Sequence, residues 1–333
     1  MVRGVQFLGA MRLVELCLLI SATACATERV DDATVTLPPA PPINAMCGAA
    51  PDAGPAGEWR HLTSKVISAY GEPHHRGTDL IATLDDATQR LAGRIAYGGT
   101  DKDLEDEDVD VFACVADMWQ PLARVRTDEE GRFTLSLTGD QRLPMGMRDL
   151  YVSVVGDRSG AAFVGFVGAA GARVVVSDVD GTLTGSENAY PTALVVGGDV
   201  PAQPDAAAAL TAAVAGGATV VYITTRGDRF TQDTRDWLAA NGFPRGPVKM
   251  PTSIITTPGD ETIEAKTSML GALAAFQIAA GVGNRHTDVA AYTNAGVPAD
   301  RIYIKLPEFD EEVADDLAAG RAVGIDTYAG LTL

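Results

Sequence analysis

The spacing of apolar residues changes character three times along the chain. A short apolar run, Leu13 to Ile20, is interrupted by Glu15. From about 26 to 57 the sequence is rich in Pro, Ala, Gly and Asp. Pro38-Pro39-Ala40-Pro41-Pro42 favours extended polyproline conformation and offers little apolar material to a core. From Trp59 to Gly168 the period is that of strands. Leu91–Gly98, Val109–Val115 and Leu150–Val155 alternate or run apolar. Residues 124–137 read as a hairpin: Asp128, Glu129, Glu130 and Gly131 mark its turn, and Phe133, Leu135 and Leu137 share one face. Several short strands with turn signals predict a small β-sandwich over 58–168.

From about Ala172 the pattern becomes α/β. Strands are expected at Val174–Val176, Thr219–Thr224, Val248–Met250 and, last, Arg301–Lys305. Helices are expected at Asp205–Ala215, Phe230–Asn241, Thr262–Leu273 and Thr287–Asn294, with an apolar run between the last two ending at Val282. Asn241-Gly242 supplies a helix stop. Such alternation implies a mostly parallel sheet with helices on both faces, so the class over 169–333 is α/β.

Length and charge narrow the picture. At 333 residues the chain has room for about two domains. The formal net charge of −18 argues against nucleic acid, whose binding relies on Lys and Arg neutralising phosphates. It also argues against a polybasic membrane-binding face. An anionic substrate would need a local metal or local cations. The acidic run Asp101–Asp110 lacks EF-hand spacing and reads as a solvated loop rather than a Ca²⁺ loop.

Arg3 and Arg12, then the apolar run, then Ser21-Ala22-Thr23-Ala24 have the form of an export signal over 1–25, too short to span a membrane. Small residues followed by Cys25 resemble the bacterial lipoprotein processing site, although Ala22 stands where Leu is usual. The expectation is an exported protein, anchored at the periplasmic membrane or cell envelope through lipidated Cys25, or else secreted. Residues 26–57 would then be a stalk. Of the remaining cysteines, Cys47 and Cys114 can pair in an oxidising compartment or stand as two buried thiols, and sequence leaves both open.

Candidate chemistry begins at Val174-Val175-Val176-Ser177-Asp178-Val179-Asp180-Gly181-Thr182-Leu183-Thr184. A β-branched strand ends in two acids one residue apart, where open α/β sheets bind ligands. Two close carboxylates there suit Mg²⁺ and a phosphate. Thr224 ends the next strand, Lys266 sits in a helix, and Gly283-Asn284-Arg285-His286-Thr287-Asp288 follows an apolar run.

This order resembles the haloacid dehalogenase superfamily. The resemblance implies a Rossmann-like parallel sheet and a Mg²⁺-dependent phosphomonoester hydrolase. It makes Asp178 the nucleophile that forms an aspartyl-phosphate and Asp180 the acid/base. It assigns Thr224, Thr225, Arg226 and Lys266 to the phosphate, and Asp178, the Asp180 carbonyl, Asp288 and Asn284 to Mg²⁺. Arg226 and Arg285 can instead pair with Asp228 and nearby acids, and His286 is expected to face solvent. About 40 residues separate Thr184 from Thr224, and about 41 separate Thr225 from Lys266. Neither interval leaves room for a large cap, so an open site for a bulky substrate is expected.

The strings Asn241-Gly242-Phe243-Pro244-Arg245-Gly246-Pro247 and Gly283-Asn284-Arg285 through Asp288, Ala291-Tyr292 and Gly296-Val297-Pro298 resemble the lipin-type phosphatidate phosphatase domain over about residues 172–305. The same domain occurs in the Nir/RdgB phosphatidylinositol-transfer proteins. That implies phosphatidate or a related lipid phosphate as substrate. Members of the group that lack the nucleophilic acid act as phosphatidate-binding modules, but both acids are kept here. A phosphatase for soluble phosphoesters or phosphoproteins remains a further alternative. More weakly, Thr127-Asp128-x-x-Gly131-x-Phe133-x-Leu135 resembles the Ig-like or prealbumin-like modules beside secreted bacterial enzymes.

Overall fold

The computed structural model describes residues 44–190, 199–252 and 259–333. The expected export signal over 1–25, the expected lipidation site Cys25 and the Pro38–Pro42 stretch lie outside the described residues. Among the described residues no helix is long and apolar enough to cross a membrane.

After a helix α1 (Leu62–Tyr70) come ten strands: β1 (Arg76–Thr78), β2 (Leu80–Thr83), β3 (Thr88–Arg94), β4 (Ala96–Tyr97), β5 (Lys102–Asp103), β6 (Asp108–Val115), β7 (Met118–Arg126), β8 (Arg132–Thr138), β9 (Gly146–Val154) and β10 (Gly160–Gly168). One layer has the order β1-β3-β8 and the opposite layer β2-β10-β9-β6-β7, while β4 and β5 pair with each other. Strand alternation drives the packing. Leu150, Val152 and Val154 point from β9 into a core closed by Leu91, Phe133 and Leu137 from the opposite sheet.

Three expectations change here. β7 and β8 do not pair: β7 pairs with β6 and β8 with β3, so 124–137 crosses between the sheets. The turn chemistry at 128–131 is real, with the Gly131 N–H donating to the Asp128 carbonyl, but it turns the chain out of one sheet into the other. The true hairpin is β6–β7, whose Ala116 and Asp117 both take positive φ, as two-residue hairpin turns require. The acidic run is not a solvated loop. Asp101 pairs with Arg76, Asp103 with Arg94, and Asp110 with Arg124 and Arg158, because neighbouring strands bring arginines across to it. Finally, residues 45–57 are fastened to the sandwich rather than forming a free stalk. Ala45 is buried and bonds Met147 and Asp149, Cys47 and Cys114 form a disulfide, and the Gly57 N–H donates to the Val155 carbonyl.

The second half runs β11 (Arg173–Asp178), α2 (Ala206–Ala215), β12 (Thr219–Ile223), α3 (Thr231–Ala240), β13 (Val248–Lys249), α4 (Asp260–Gly271), β14 (Gln277–Gly283), α5 (His286–Asn294), β15 (Ile302–Lys305), α6 (Asp310–Ala318) and β16 (Val323–Ile325). All six strands are parallel, in the order β13-β12-β11-β14-β15-β16. This is the doubly wound order, with its switch point between β11 and β14. Val175, Val220 and Val282 pack on one face, and Val174, Val176, Val221 and Ile223 on the other. The apolar run ending at Val282 is strand β14. β15 is not the last strand, since α6 and β16 follow it. The chain then returns so that Tyr328 Oη donates to the Thr182 carbonyl at 2.7 Å, beneath the Asp-rich turn.

The sandwich docks on the β13 edge of this sheet. The Asp79 carboxylate, between β1 and β2, is fully buried. It accepts from the Val164 N–H at 2.6 Å, the Val248 N–H at 2.7 Å and Arg235 of α3 at 2.6 Å. It thereby covers an exposed sheet edge. Arg76 pairs with Asp228 at 3.0 Å, Arg245 pairs with Asp149, and Phe166 packs at a tilt against Phe276.

Asp79→Ala should destabilise the protein by about 3–5 kcal/mol in urea unfolding, because Arg235 and two buried N–H groups lose their acceptor together. A change below about 1 kcal/mol would contradict this account. A second expectation concerns pH. Burial holds the His75 pKa down at about 4, against an ordinary value of 6.5, outweighing the opposing pull of Asp157. The unfolded chain therefore takes up this proton first on acidification. The His75 contribution is complete above about pH 6.5 and is lost as pH falls toward 4, by about 3 kcal/mol in all. Unfolding free energy measured across that window should fall less steeply in His75→Gln than in the wild type.

Candidate active site

Strand β11 carries Asp178 to its carboxyl end, at the switch point of the sheet. The chain then turns sharply: the Leu183 and Thr184 N–H groups both return to the Val179 carbonyl. Gly181 makes this turn possible. Its φ is +69°, and a Cβ there would lie 2.0 Å from Asn284 Nδ2. The turn places Thr182 so that its hydroxyl donates to Asp178 Oδ2 at 2.9 Å.

Lys266 arrives from α4. Its ammonium bonds Asp178 Oδ1 at 2.6 Å and Asp288 Oδ1 at 2.5 Å. All three side chains are buried. Asp288 lies in the first turn of α5, and its other oxygen accepts from the Asn284 and Arg285 N–H groups at 3.1 Å each. It is therefore a helix cap as well as a partner of Lys266. Burial alone pulls the Lys266 pKa down, but Asp178 and Asp288 outweigh it and the ammonium stays charged. Asp178 is pushed up by burial and by the neighbouring Asp288, Glu187 and Asp180, with Lys266 opposing.

Asp180 is held from the other side. Arg226 grips it through Nε and Nη2 at 2.9 and 2.6 Å, and the Thr224 hydroxyl lies 3.1 Å from its Oδ2. Arg226 is itself fixed by Thr234 at 2.9 Å and by the ring of Tyr190, 3.6 Å below its guanidinium. Its carboxylate partner is Asp180, not Asp228, which Arg76 takes. Thr225 is half-buried and takes no part in this network. Arg285 pairs with Glu312 at 2.7 Å and stacks on Phe309. His286 faces solvent as expected, although it opens α5 rather than lying in a loop, with its Nδ1 2.6 Å from Asp316.

Two participants carried no motif. Glu187, three residues past Thr184, accepts from Asn284 Nδ2 at 3.0 Å. Burial raises its pKa to about 7, against the opposing Asn284 bond. Tyr190 is the second. The only hint in the sequence was their place just after the Asp-rich turn.

The local charge is unbalanced. Asp178, Asp180, Glu187 and Asp288 face Lys266 and Arg226, while Arg285 and Glu312 offset each other. Asn284 Oδ1 is buried with no partner. Among the described residues no three His, Cys, Asp or Glu side chains converge closely enough to hold a metal alone. A cation here would draw on Asp178, Asp288, a main-chain carbonyl and Asn284. That hard-oxygen set, the surplus negative charge and the orphaned amide oxygen fit Mg²⁺.

Both halves of the chain match models of one family. Residues 175–305 match "PITM 1-3, LNS2 domain" and residues 73–167 match "PITM 1-3, beta-sandwich domain". Relatives include membrane-associated phosphatidylinositol transfer protein 3 of Homo sapiens, 27% identical over 257 residues, covering 76% of this chain and 25% of the relative. Membrane-associated phosphatidylinositol transfer protein 1 of Homo sapiens is also 27% identical, covering 75% and 20%. The match thus spans a quarter or less of those relatives. Among solved structures, a putative beta-phosphoglucomutase from Thermotoga maritima is 14% identical over 47% of this chain and 94% of that one, with a TM-score of 0.33. The chain is homologous to the phosphatidylinositol transfer proteins across both domains. Its α/β half is similar to the LNS2 domain of those proteins, and its parallel sheet is consistent with a haloacid-dehalogenase-like fold.

Lys266→Met should cost about 3–5 kcal/mol of stability, because it leaves Asp178 and Asp288 buried against each other without a counter-charge. Denaturant unfolding would measure this, and a near-neutral result would mean that the ammonium is not the keystone of the site.

Proposed function

We propose that this chain is a phosphomonoester hydrolase acting through an aspartyl-phosphate at Asp178, with phosphatidate or a related lipid phosphate as substrate. The observation that carries the reading is Lys266 spanning Asp178 and Asp288 at the switch point, with Asp180 one turn away. A phosphate entering this cleft meets four carboxylates, so it needs added positive charge. Bound Mg²⁺, held by Asp178, Asp288, the Asp180 carbonyl and Asn284, would supply that charge. Lys266 orients Asp178 for in-line attack and balances the negative charge. Asp180 then donates a proton to the leaving oxygen and recovers one from the water that attacks the acyl phosphate.

Proton donation requires Arg226 to let Asp180 go. An incoming phosphate offers the guanidinium a bidentate partner of higher charge, so substrate binding can draw Arg226 off Asp180. Among the described residues no large cap encloses the cleft, which suits a substrate whose bulk stays outside. Export with lipid anchoring at Cys25 would hold the domain at a membrane carrying such a substrate.

The grip of Arg226 on Asp180 favours a second reading. An acid locked as an acceptor suits a phosphatidate-binding module that performs no turnover, and the matched relatives are named as transfer proteins.

Phosphate release by the full chain from phosphatidate in mixed micelles separates the two. Mg²⁺-dependent release, reduced at least about 10³-fold in Asp178→Asn, is expected for the enzyme. Vesicle binding without release, unchanged in Asp178→Asn, would establish the binding module instead. Release from soluble phosphomonoesters but not micelles would remove the lipid from the proposal.

A further inference from the structure

Glu187 belongs to none of the motifs that mark the site, yet it is anchored from both ends. Its main-chain N–H donates to the Glu308 carboxylate, 3.0 Å from each oxygen. Its Oε1 lies 3.8 Å from Arg285 and its Oε2 accepts from Asn284 Nδ2 at 3.0 Å. Glu187 and Asn284 both press on Gly181: a Cβ there would stand 3.0 Å from Glu187 Oε2 and 2.0 Å from Asn284 Nδ2. The pair is therefore wedged beside the turn that carries Asp180.

A primary amide has a donating end and an accepting end. A carboxylate fixes which end faces it, because it takes the N–H₂ side. Once Nδ2 is spoken for, Oδ1 must face away from Glu187. In this structure Oδ1 is buried and has no partner. Buried acceptors are rarely left so, and this one needs a cation or a donor to face. Asn284 is almost wholly buried at 1% exposure, so its amide cannot turn to solvent instead.

We propose that Glu187 is a positioning residue for the cation seat. It sets the Asn284 amide so that Oδ1 is presented to the cation held by Asp178 and Asp288. Glu187 itself touches neither the cation nor the phosphate. Partners of this kind, one bond removed from a ligand, commonly change metal affinity by about 10–100-fold when removed. The inference rests on the phosphatase reading in one respect: it takes the cleft to hold Mg²⁺.

The test is calorimetric Mg²⁺ titration of the full chain without substrate, so that binding is read apart from turnover. Glu187→Ala, which frees the amide to rotate, should bind Mg²⁺ about 10–100-fold more weakly. Glu187→Gln keeps a side-chain carbonyl to accept from Nδ2 and should recover wild-type affinity. Asn284→Ala should lose as much as Glu187→Ala, and the double variant no more than either, since both act through one oxygen. Equal loss in Glu187→Gln and Glu187→Ala would mean that the charge acts directly, and would overturn the positioning role. Unchanged affinity in Glu187→Ala, or additive losses in the double variant, would overturn it too, leaving the phosphatase reading intact. A wild-type chain that binds no Mg²⁺ would remove the cation seat and both readings with it.

Discussion

The ammonium of Lys266, buried between Asp178 and Asp288, is the interaction on which the site depends. Three elements meet at it: the end of β11, the middle of α4 and the first turn of α5. Each carboxylate would be intolerable at that depth without a counter-charge, and the lysine would be equally so without them. The triad therefore ties the geometry of the site to the stability of the domain. It also leaves the cleft negative, because Asp180 and Glu187 add more charge than Arg226 removes. A surplus of that sign repels phosphate unless a cation intervenes.

Arg226 introduces a tension of its own. It is packed on Tyr190, bonded to Thr234 and clamped on Asp180, so its guanidinium is fixed from three sides. In the proposed function Arg226 would also take the phosphate, yet it occupies the acid that hydrolysis would use. Whether substrate displaces that clamp is the physical difference between an enzyme and a binding module built on one framework.

The sandwich bears on the site through the same loop. Arg76 holds Asp228 two residues past Arg226, and Arg229 reaches the Gly99 carbonyl of the sandwich. Asp79 closes the β13 edge a few residues further on. The sandwich therefore braces the edge of the sheet that carries Thr224 and Arg226, rather than acting as a spacer.

Much of this was readable in the chain. The α/β alternation, the strand before Asp178, the helices around Lys266 and Asp288 and the sandwich itself follow from local periodicity and turn chemistry, which are properties of short windows. The acids of the Asp-rich turn are legible for the same reason, since a strand end is a local event. What was misread depends on pairing at a distance. Strands β7 and β8 have a hairpin's turn between them but find partners in opposite sheets, because burial of Phe133 and Leu137 against β3 outweighs local closure. The acids of Asp101–Asp110 looked solvated because their arginines lie on other strands. Glu187, Tyr190 and Arg226 could not be assigned from spacing, since their roles come from facing charges that the fold brings together. Sequence by itself determined which residue types stand at each strand end and hence which chemistry is available. Tertiary structure alone decided which carboxylate each cation neutralises, because in a buried cleft that choice is made by distance in space and not along the chain.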